Sequence, residues 1–259
     1  MPVVNRLSVL VLATLASACI PNGPPTGTAD AGAAPVVAAP TVTVAPSAPK
    51  KAAAPVDGGV VDPLLTQPFE DTFDRGIIGD AWRTLGGAWR IENGRLCGRG
   101  AKNRGIWLTK RLPTNARIEF DATSTSADGD LKAELWGDGM SGATSQSYSN
   151  ATSYLTILGG WKNTLHVLAR LDEHGSNRLV YKVDPTDDDP RSRPVAAGQT
   201  YRFVIERTDG KTIRWLVDDV VMHRFEDREP LKGEGHDHFG FNDWDVQVCF
   251  DNVKVTPLG

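Results

Sequence analysis

From Phe69 onward apolar residues recur at every second position, and this period constrains the chain more than any other feature. GIWLTKR sets Ile106 and Leu108 against Trp107 and Thr109, and ARIEFDA sets Ile118 and Phe120 against Arg117, Glu119 and Asp121. DLKAELW places Leu131, Ala133 and Leu135 opposite Lys132, Glu134 and Trp136. TLHVLAR places Leu165, Val167 and Ala169 opposite His166 and Arg170, and TYRFVIER places Tyr201, Phe203 and Ile205 opposite Arg202 and Glu206. Successive side chains of a strand point to opposite faces, so each run buries one face and exposes the other. No stretch carries apolar residues at i, i+3, i+4 and i+7 over helical length.

Turn chemistry separates the runs. Asn93-Gly94 lies between WRIE and RLCG, a hairpin signal because both residues tolerate positive φ. Gly159-Gly160-Trp161-Lys162-Asn163 joins YLTIL to TLHVL, Asp209-Gly210 follows YRFVIER, and Asp218-Asp219 divides IRWLV from VVMHRF. Many short strands joined by hairpins give an all-β, antiparallel sandwich or barrel. All aromatic residues lie in this part of the chain.

The preceding segment has a different character. Arg6, the apolar run Leu7 to Leu15 and Ala16-Ser17-Ala18 before Cys19 form an export signal with a small-residue cleavage site. The pattern resembles the lipobox of bacterial lipoproteins, with Ala16 where leucine is usual. That resemblance implies acylation of Cys19, attachment to a membrane through the N-terminal lipid, and an extracytoplasmic location at the outer membrane or cell surface. Plain secretion would use the same bond. Residues 1–18 are assigned to the signal and 19–67 to a tether. The tether is rich in Ala, Pro, Val, Thr and Gly and holds too little apolar surface to fold. Residues 68–259 form the domain.

The chain has three cysteines. With Cys19 acylated, Cys97 and Cys249 remain as an even pair, either bonded or as two buried thiols. The net charge is −4 and the basic residues are scattered, which excludes a nucleic-acid surface built on clustered Lys and Arg.

FEDTFDR, WRIENGRLCGRG, the YRFVIERTDGKTIRWLVDD hairpin and the closing CFDNVKV resemble the concanavalin A-like lectin/glucanase superfamily, in the style of laminin-G-like and 3-keto-glycoside hydrolase-type domains. The resemblance implies a jelly-roll sandwich of two sheets with neighbouring first and last strands, which would bring Cys97 and Cys249 near one another. Glucanases of that superfamily carry an E-x-D-x-x-E strand. Glu119 and Asp121 match its first half, but Ser124 stands where the second glutamate belongs. Retaining hydrolysis needs a nucleophile and an acid/base carboxyl about 5 Å apart, so the missing group argues against that route.

The chain also lacks GxSxG, HExxH, P-loop and CxxC signatures. What remains is a set of ligand-binding candidates. Trp107, Glu134, Trp136, His166 and Arg170 fall on the non-aliphatic sides of their strands, the combination of rings and polar groups that suits a sugar. The loop Gly137 to Ser153 offers Tyr148 and Asn150, or is a plain connection. HDHFGFNDWD, His236 to Asp245, is a structural turn with Phe239 and Phe241 directed inward, a ligand-binding rim with His238 and Trp244, or a metal site. Asp184 to Pro190 could bind calcium, though a solvated acidic turn is the favoured reading, and no cofactor is required. The sequence thus leads to a monomeric, lipid-anchored sandwich that binds a carbohydrate or cell-envelope polymer without catalysis. The alternatives are a glycoside-modifying hydrolase or lyase, and a structural envelope lipoprotein holding a protein partner.

Overall fold

A computed structural model describes residues 61–259 of the chain. The signal, Cys19 and most of the tether lie outside the described residues. In chain order the strands are β1 (Phe69–Asp71), β2 (Trp82–Thr84), β3 (Trp89–Glu92), β4 (Arg95–Arg99), β5 (Ile106–Leu108), β6 (Ala116–Ser124), β7 (Leu131–Gly137) and β8 (Tyr154–Gly159). They continue with β9 (Leu165–Arg170), β10 (Leu179–Lys182), β11 (Thr200–Arg207), β12 (Thr212–Val217), β13 (Val220–Glu226), β14 (His238–Asn242) and β15 (Gln247–Pro257).

Two antiparallel sheets form from these strands. The first has the order β13-β12-β11-β6-β15-β4-β3, with β1 also paired to β15, and the second has the order β10-β9-β8-β7-β14-β5-β2. First and last strands are therefore neighbours. The hairpin signals act as their chemistry requires: Asn93 and Gly94 have φ of 50° and 70°, and Asp218 and Asp219 have φ of 47° and 64°.

The core lies between the sheets. Phe120, Phe203 and Phe250 from the first sheet meet Phe239 and Phe241 from the second. Phe241 stacks on Phe250 with ring centroids 3.9 Å apart, and Phe120 meets Phe241 edge-on at 5.0 Å. Cys97 and Cys249 sit opposite one another on β4 and β15 and form a disulfide. Their neighbours Leu96 and Phe250 belong to the core, so the disulfide lies on the outward side of the first sheet. On the same side, Glu119 and Asp121 are engaged by Arg117 and Arg202, a charge ladder on a solvated face.

Residues placed in the tether by composition are already fixed to the domain before Gln67. Asp62 accepts two hydrogen bonds from Arg83, at 2.9 and 2.8 Å, and lies 3.1 Å from His238 Nε2. Leu65 is buried in the core and bonds through its backbone N–H to Arg111 O at 2.8 Å. Residues 62–65 thus form a short arm packed on the domain, which the Ala/Pro composition conceals.

Candidate functional site

Strand register defines the outward face of the second sheet. Across it run two rows of Cα partners: Arg83, Trp107, Gly240, Glu134, Leu155 and Ala169, then Asn242, Lys132, Ile157, Val167 and Val180. Trp107 and Glu134 therefore share a face, as the alternation predicts. Neither is accessible, because the loop between β7 and β8 lies over them. Trp107 is fully buried and donates Nε1–H to Ser141 O at 3.2 Å. Glu134 accepts hydrogen bonds from Tyr148 at 2.9 Å, Ser153 at 2.7 Å and Asn242 at 2.6 Å. Burial raises the Glu134 pKa to about 7, and these three donors only partly counter it. Tyr148, Ala151, Leu155, Ile157, Val167 and Ala169 form a second small core beneath the loop. Tyr148 is thus a plug, and Asn150 is spent on its own loop, bonding Thr144 and Gly142.

The other candidates are placed differently from expectation. Trp136 has φ of 51° and is the extra residue of a bulge, since Leu135 pairs with Phe239 and Gly137 with His238. The bulge breaks the alternation and turns the indole inward, where Arg207 packs on it at 3.9 Å and its Nε1–H donates to Pro113 O. On β9 the aliphatic side, Val167 and Ala169, faces the loop-covered surface, so His166 points the other way, towards the inner side. His166 is buried, which lowers its pKa. Gly159 N–H donates to its Nδ1 at 2.9 Å, leaving Nε2–H to donate to Arg193 O. Arg170 is tied to Asp227 at 2.7 Å and to Glu229 O, anchoring a loop. His238 lies between Asp62 and Asp237 and holds the N-terminal arm. In HDHFGFNDWD the phenylalanines enter the core as expected, while Asn242 turns to the covered face. In the acidic loop, Asp184 caps Thr186 and Asp189 pairs with Arg191, so these carboxylates serve their own turns.

Trp244 alone of the expected set lines an open cavity. This cleft, of about 810 Å³, lies at the end of the second sheet where the covering loop stops. Trp161 is its second indole, and Asn103, Asp130, Lys132 and Glu173 line it. The Trp244 backbone is held at both ends: the Asp130 carboxylate accepts its N–H at 3.1 Å, and Lys102 N–H donates to its carbonyl at 3.0 Å. Lys102 also lies over the ring at 4.6 Å. Behind it the buried Asp243 carboxyl accepts from Ala101 N–H, and burial raises its pKa to about 6.

Trp161 stands in a left-handed turn. Trp161, Lys162 and Asn163 have φ of 52°, 57° and 59°, a run that costs about 1–2 kcal/mol per residue in a free chain. Asn163 holds it there, donating to Ala127 O and Val195 O at 2.8 Å and accepting from Val195 N–H at 3.0 Å. Gly129 backs the turn so closely that a Cβ on it would lie 2.6 Å from Gly159 O. Arg178 packs on the Trp161 ring at 4.7 Å and donates to Glu173 O at 2.8 Å.

On the floor, the Lys132 side chain is almost wholly buried. Its Nζ lies 3.2 Å from Asn103 Oδ1, 3.2 Å from Glu173 Oε1 and 3.4 Å from Asp130 Oδ1. Burial works against its charge, but Asp130 and Glu173 prevail and hold its pKa above the ordinary lysine value. Sequence alternation placed Lys132 on the polar face without marking it as a floor residue. Trp161 was read only as part of a Gly-Gly turn. A large indole in a tight turn was the available signal, since a turn residue has no core to enter.

No family model matches the sequence, and no curated relative aligns with it. Solved structures share its fold. The carbohydrate binding module CBM66 from Bacillus subtilis superposes with a TM-score of 0.51 at 20% identity, over 67% of this chain and 94% of that one. An endo-acting O-glycanase of the human gut microbiota gives 0.52 at 15% identity, over 74% and 99%. The Crh5 transglycosylase, solved in complex with NAG, gives 0.52 at 11% identity, over 76% and 87%. What the chain shares with them is the fold, a sandwich of two antiparallel sheets.

Proposed function

We propose that this chain is a glycan-binding protein, held at a membrane through Cys19, whose sugar site is the cleft lined by Trp161 and Trp244. The observation that carries the reading is the union of two partly exposed indoles with a polar, pre-organised floor in one open cavity. Aromatic faces take the C–H surface of a sugar ring, and fixed polar groups take its hydroxyls. The fold shared with a carbohydrate binding module and with glycan-processing enzymes accommodates this role, but the reading rests on the cleft. Binding without hydrolysis is favoured by the state of the carboxylates. Asp130 and Glu173 are both ion-paired to Lys132, and Glu134 lies under Tyr148. A retaining pair needs a free nucleophile and a proton-carrying acid on either side of the bond.

The test is affinity electrophoresis of the purified protein through gels containing soluble polysaccharides, with Trp161→Ala and Trp244→Ala beside it. Retardation by at least one polymer, lost in each variant while the thermal melt is kept, is expected. Retardation that survives both substitutions would move the site elsewhere, and no retardation by any polymer would remove the glycan reading.

A further inference from the structure

We infer that the cleft selects a non-acidic sugar unit, and that Glu173 is the residue that sets this selection. The inference rests on the glycan reading of the cleft. Its basis is the hydrogen-bond inventory of the floor. Lys132 is the only cation there, and an ammonium has three donors. Asn103 and Glu173 accept two of them, and Asp130 pairs with the ammonium at 3.4 Å, so its charge is already shared between two carboxylates and is poorly available to the carboxylate of a uronic or sialic acid. Acceptor capacity, by contrast, is left over. Glu173 is 6% exposed, lines the cleft, and has its Oε2 without a hydrogen-bond partner among the described residues. A buried carboxylate oxygen in that state favours a group that donates, such as a sugar hydroxyl.

The walls do not reverse this balance. Lys102 is paired with Asp245 at 2.7 Å, and Arg178 is used on Trp161 and the Glu173 carbonyl. Of the remaining lining charges, Arg99, Lys162 and Asp128 are exposed at the rim, where water screens them far more than the buried floor. An acidic sugar entering the cleft would therefore meet a floor of net negative charge whose one cation is already held by two carboxylates. A neutral ring would meet an acceptor beneath and indoles at the sides. Glu173 is also positioned for this from two directions: its N–H donates to Tyr148 O at 3.0 Å, and its carbonyl is held by Arg178.

The experiment is titration of the purified full-length protein, in detergent, with two sets of probes. One set is neutral (dextran, β-glucan and galactomannan) and the other acidic (polygalacturonate and alginate). The wild type is compared with Glu173→Gln, Glu173→Asp and Trp244→Ala, and thermal melts report folding. The wild type is expected to bind at least one neutral polymer and neither polyuronate. Glu173→Gln removes a negative charge beside Lys132 and replaces one acceptor oxygen with an NH2 donor. It should weaken neutral binding by about tenfold, the scale of one charge-assisted hydrogen bond, and shift the neutral-to-acidic affinity ratio towards the polyuronates. Glu173→Asp keeps the charge and should retain the wild-type ratio. Wild-type binding to a polyuronate as strong as to any neutral polymer would overturn the inference. So would an unchanged ratio in Glu173→Gln. If Trp244→Ala abolishes binding while Glu173→Gln leaves the ratio unmoved, the cleft is still the glycan site and only the role of Glu173 falls. If no polymer of either set binds, the glycan reading falls and takes this inference with it.

Discussion

The Tyr148 hydroxyl sits 3.0 and 2.9 Å from the two carboxylate oxygens of Glu134, and so closes the loop between β7 and β8 over the outward face of the second sheet. Burial and the adjacent carboxylate push the Tyr148 phenol upward, which keeps it protonated as a donor. Burial raises Glu134 from an ordinary 4.5 to about 7. The folded chain therefore binds a proton that the unfolded chain has released between those values. The Glu134 contribution to stability is present below about pH 4.5, falls as pH rises to about 7, and stays lost above it. The fall amounts to roughly 3 kcal/mol. Glu134→Gln cannot titrate. Urea denaturation near pH 5 and near pH 8 should show a smaller loss of stability with pH in the variant than in the wild type. Equal losses in the two proteins would show that Glu134 carries no such linkage.

The same pair bears on what the sequence makes legible. Strands with unbroken alternation, such as β6 and β11, announce their buried faces, because side-chain direction follows from position alone. Glu134 and Trp107 were placed on one face for that reason. The same alternation puts Trp136 on that face and is wrong there, because its inward turn depends on a bulge that only the partner residues His238 and Phe239 define. His166 failed by a related route. A second small core beneath the covering loop makes the outward side of β9 the aliphatic one, and no local pattern reports that a loop will cover a sheet. The cleft draws on Asn103, Asp130, Trp161, Glu173 and Trp244, which belong to separate loops. Their convergence is a property of topology, and Trp244 was singled out only because it lies in a polar cluster.

Asn163 should behave as a positioning residue for Trp161. Its three side-chain hydrogen bonds tie the left-handed turn to the Ala127 and Val195 segments. Asn163→Gly accepts the positive φ but removes the bonds, whereas Asn163→Ala loses both. Each lost bond costs up to about 1 kcal/mol, so both variants should unfold at lower urea, alanine more than glycine. Both should also bind polysaccharide more weakly, since the indole is no longer fixed. Affinity electrophoresis that finds glycine and alanine equal to wild type would show that the turn needs no such clamp.

The Cys97–Cys249 bond links β4 to β15 across a separation of 152 residues. Closing so long a loop restricts the unfolded chain, and removal of a native disulfide typically costs about 2–5 kcal/mol. The double variant Cys97→Ala/Cys249→Ala should therefore melt at a clearly lower temperature. Its affinity for glycan should be largely kept at temperatures where it is folded, because neither cysteine lines the cleft, which the same two strands reach only through Arg99 and Gln247. A melt unaffected by the double substitution, or by reduction of the wild type, would show that the sandwich does not depend on the bond.

Asp62 fixes the first described residues to the domain. Its carboxylate receives a two-bond contact from Arg83 and faces His238 at 3.1 Å, while its carbonyl accepts from Arg111 Nε at 2.9 Å. Leu65 then enters the core. Both Arg83 bonds leave the one nitrogen Nη2 and reach the two carboxylate oxygens, a charge-assisted contact that fixes the arm to β2. Asp62→Ala removes the acceptor but leaves the Arg111 contact to the backbone, so the fold should survive with a stability loss of about 1–2 kcal/mol. The local effect should be larger. Limited proteolysis should cut the variant within 61–66 faster than the wild type, while sites inside the sandwich keep their rates. Arg83→Ala should produce the same cleavage pattern from the other side of the pair. If both variants are cut in this segment no faster than the wild type, Leu65 and the backbone bonds alone hold the arm, and the Asp62 cluster adds only surface charge.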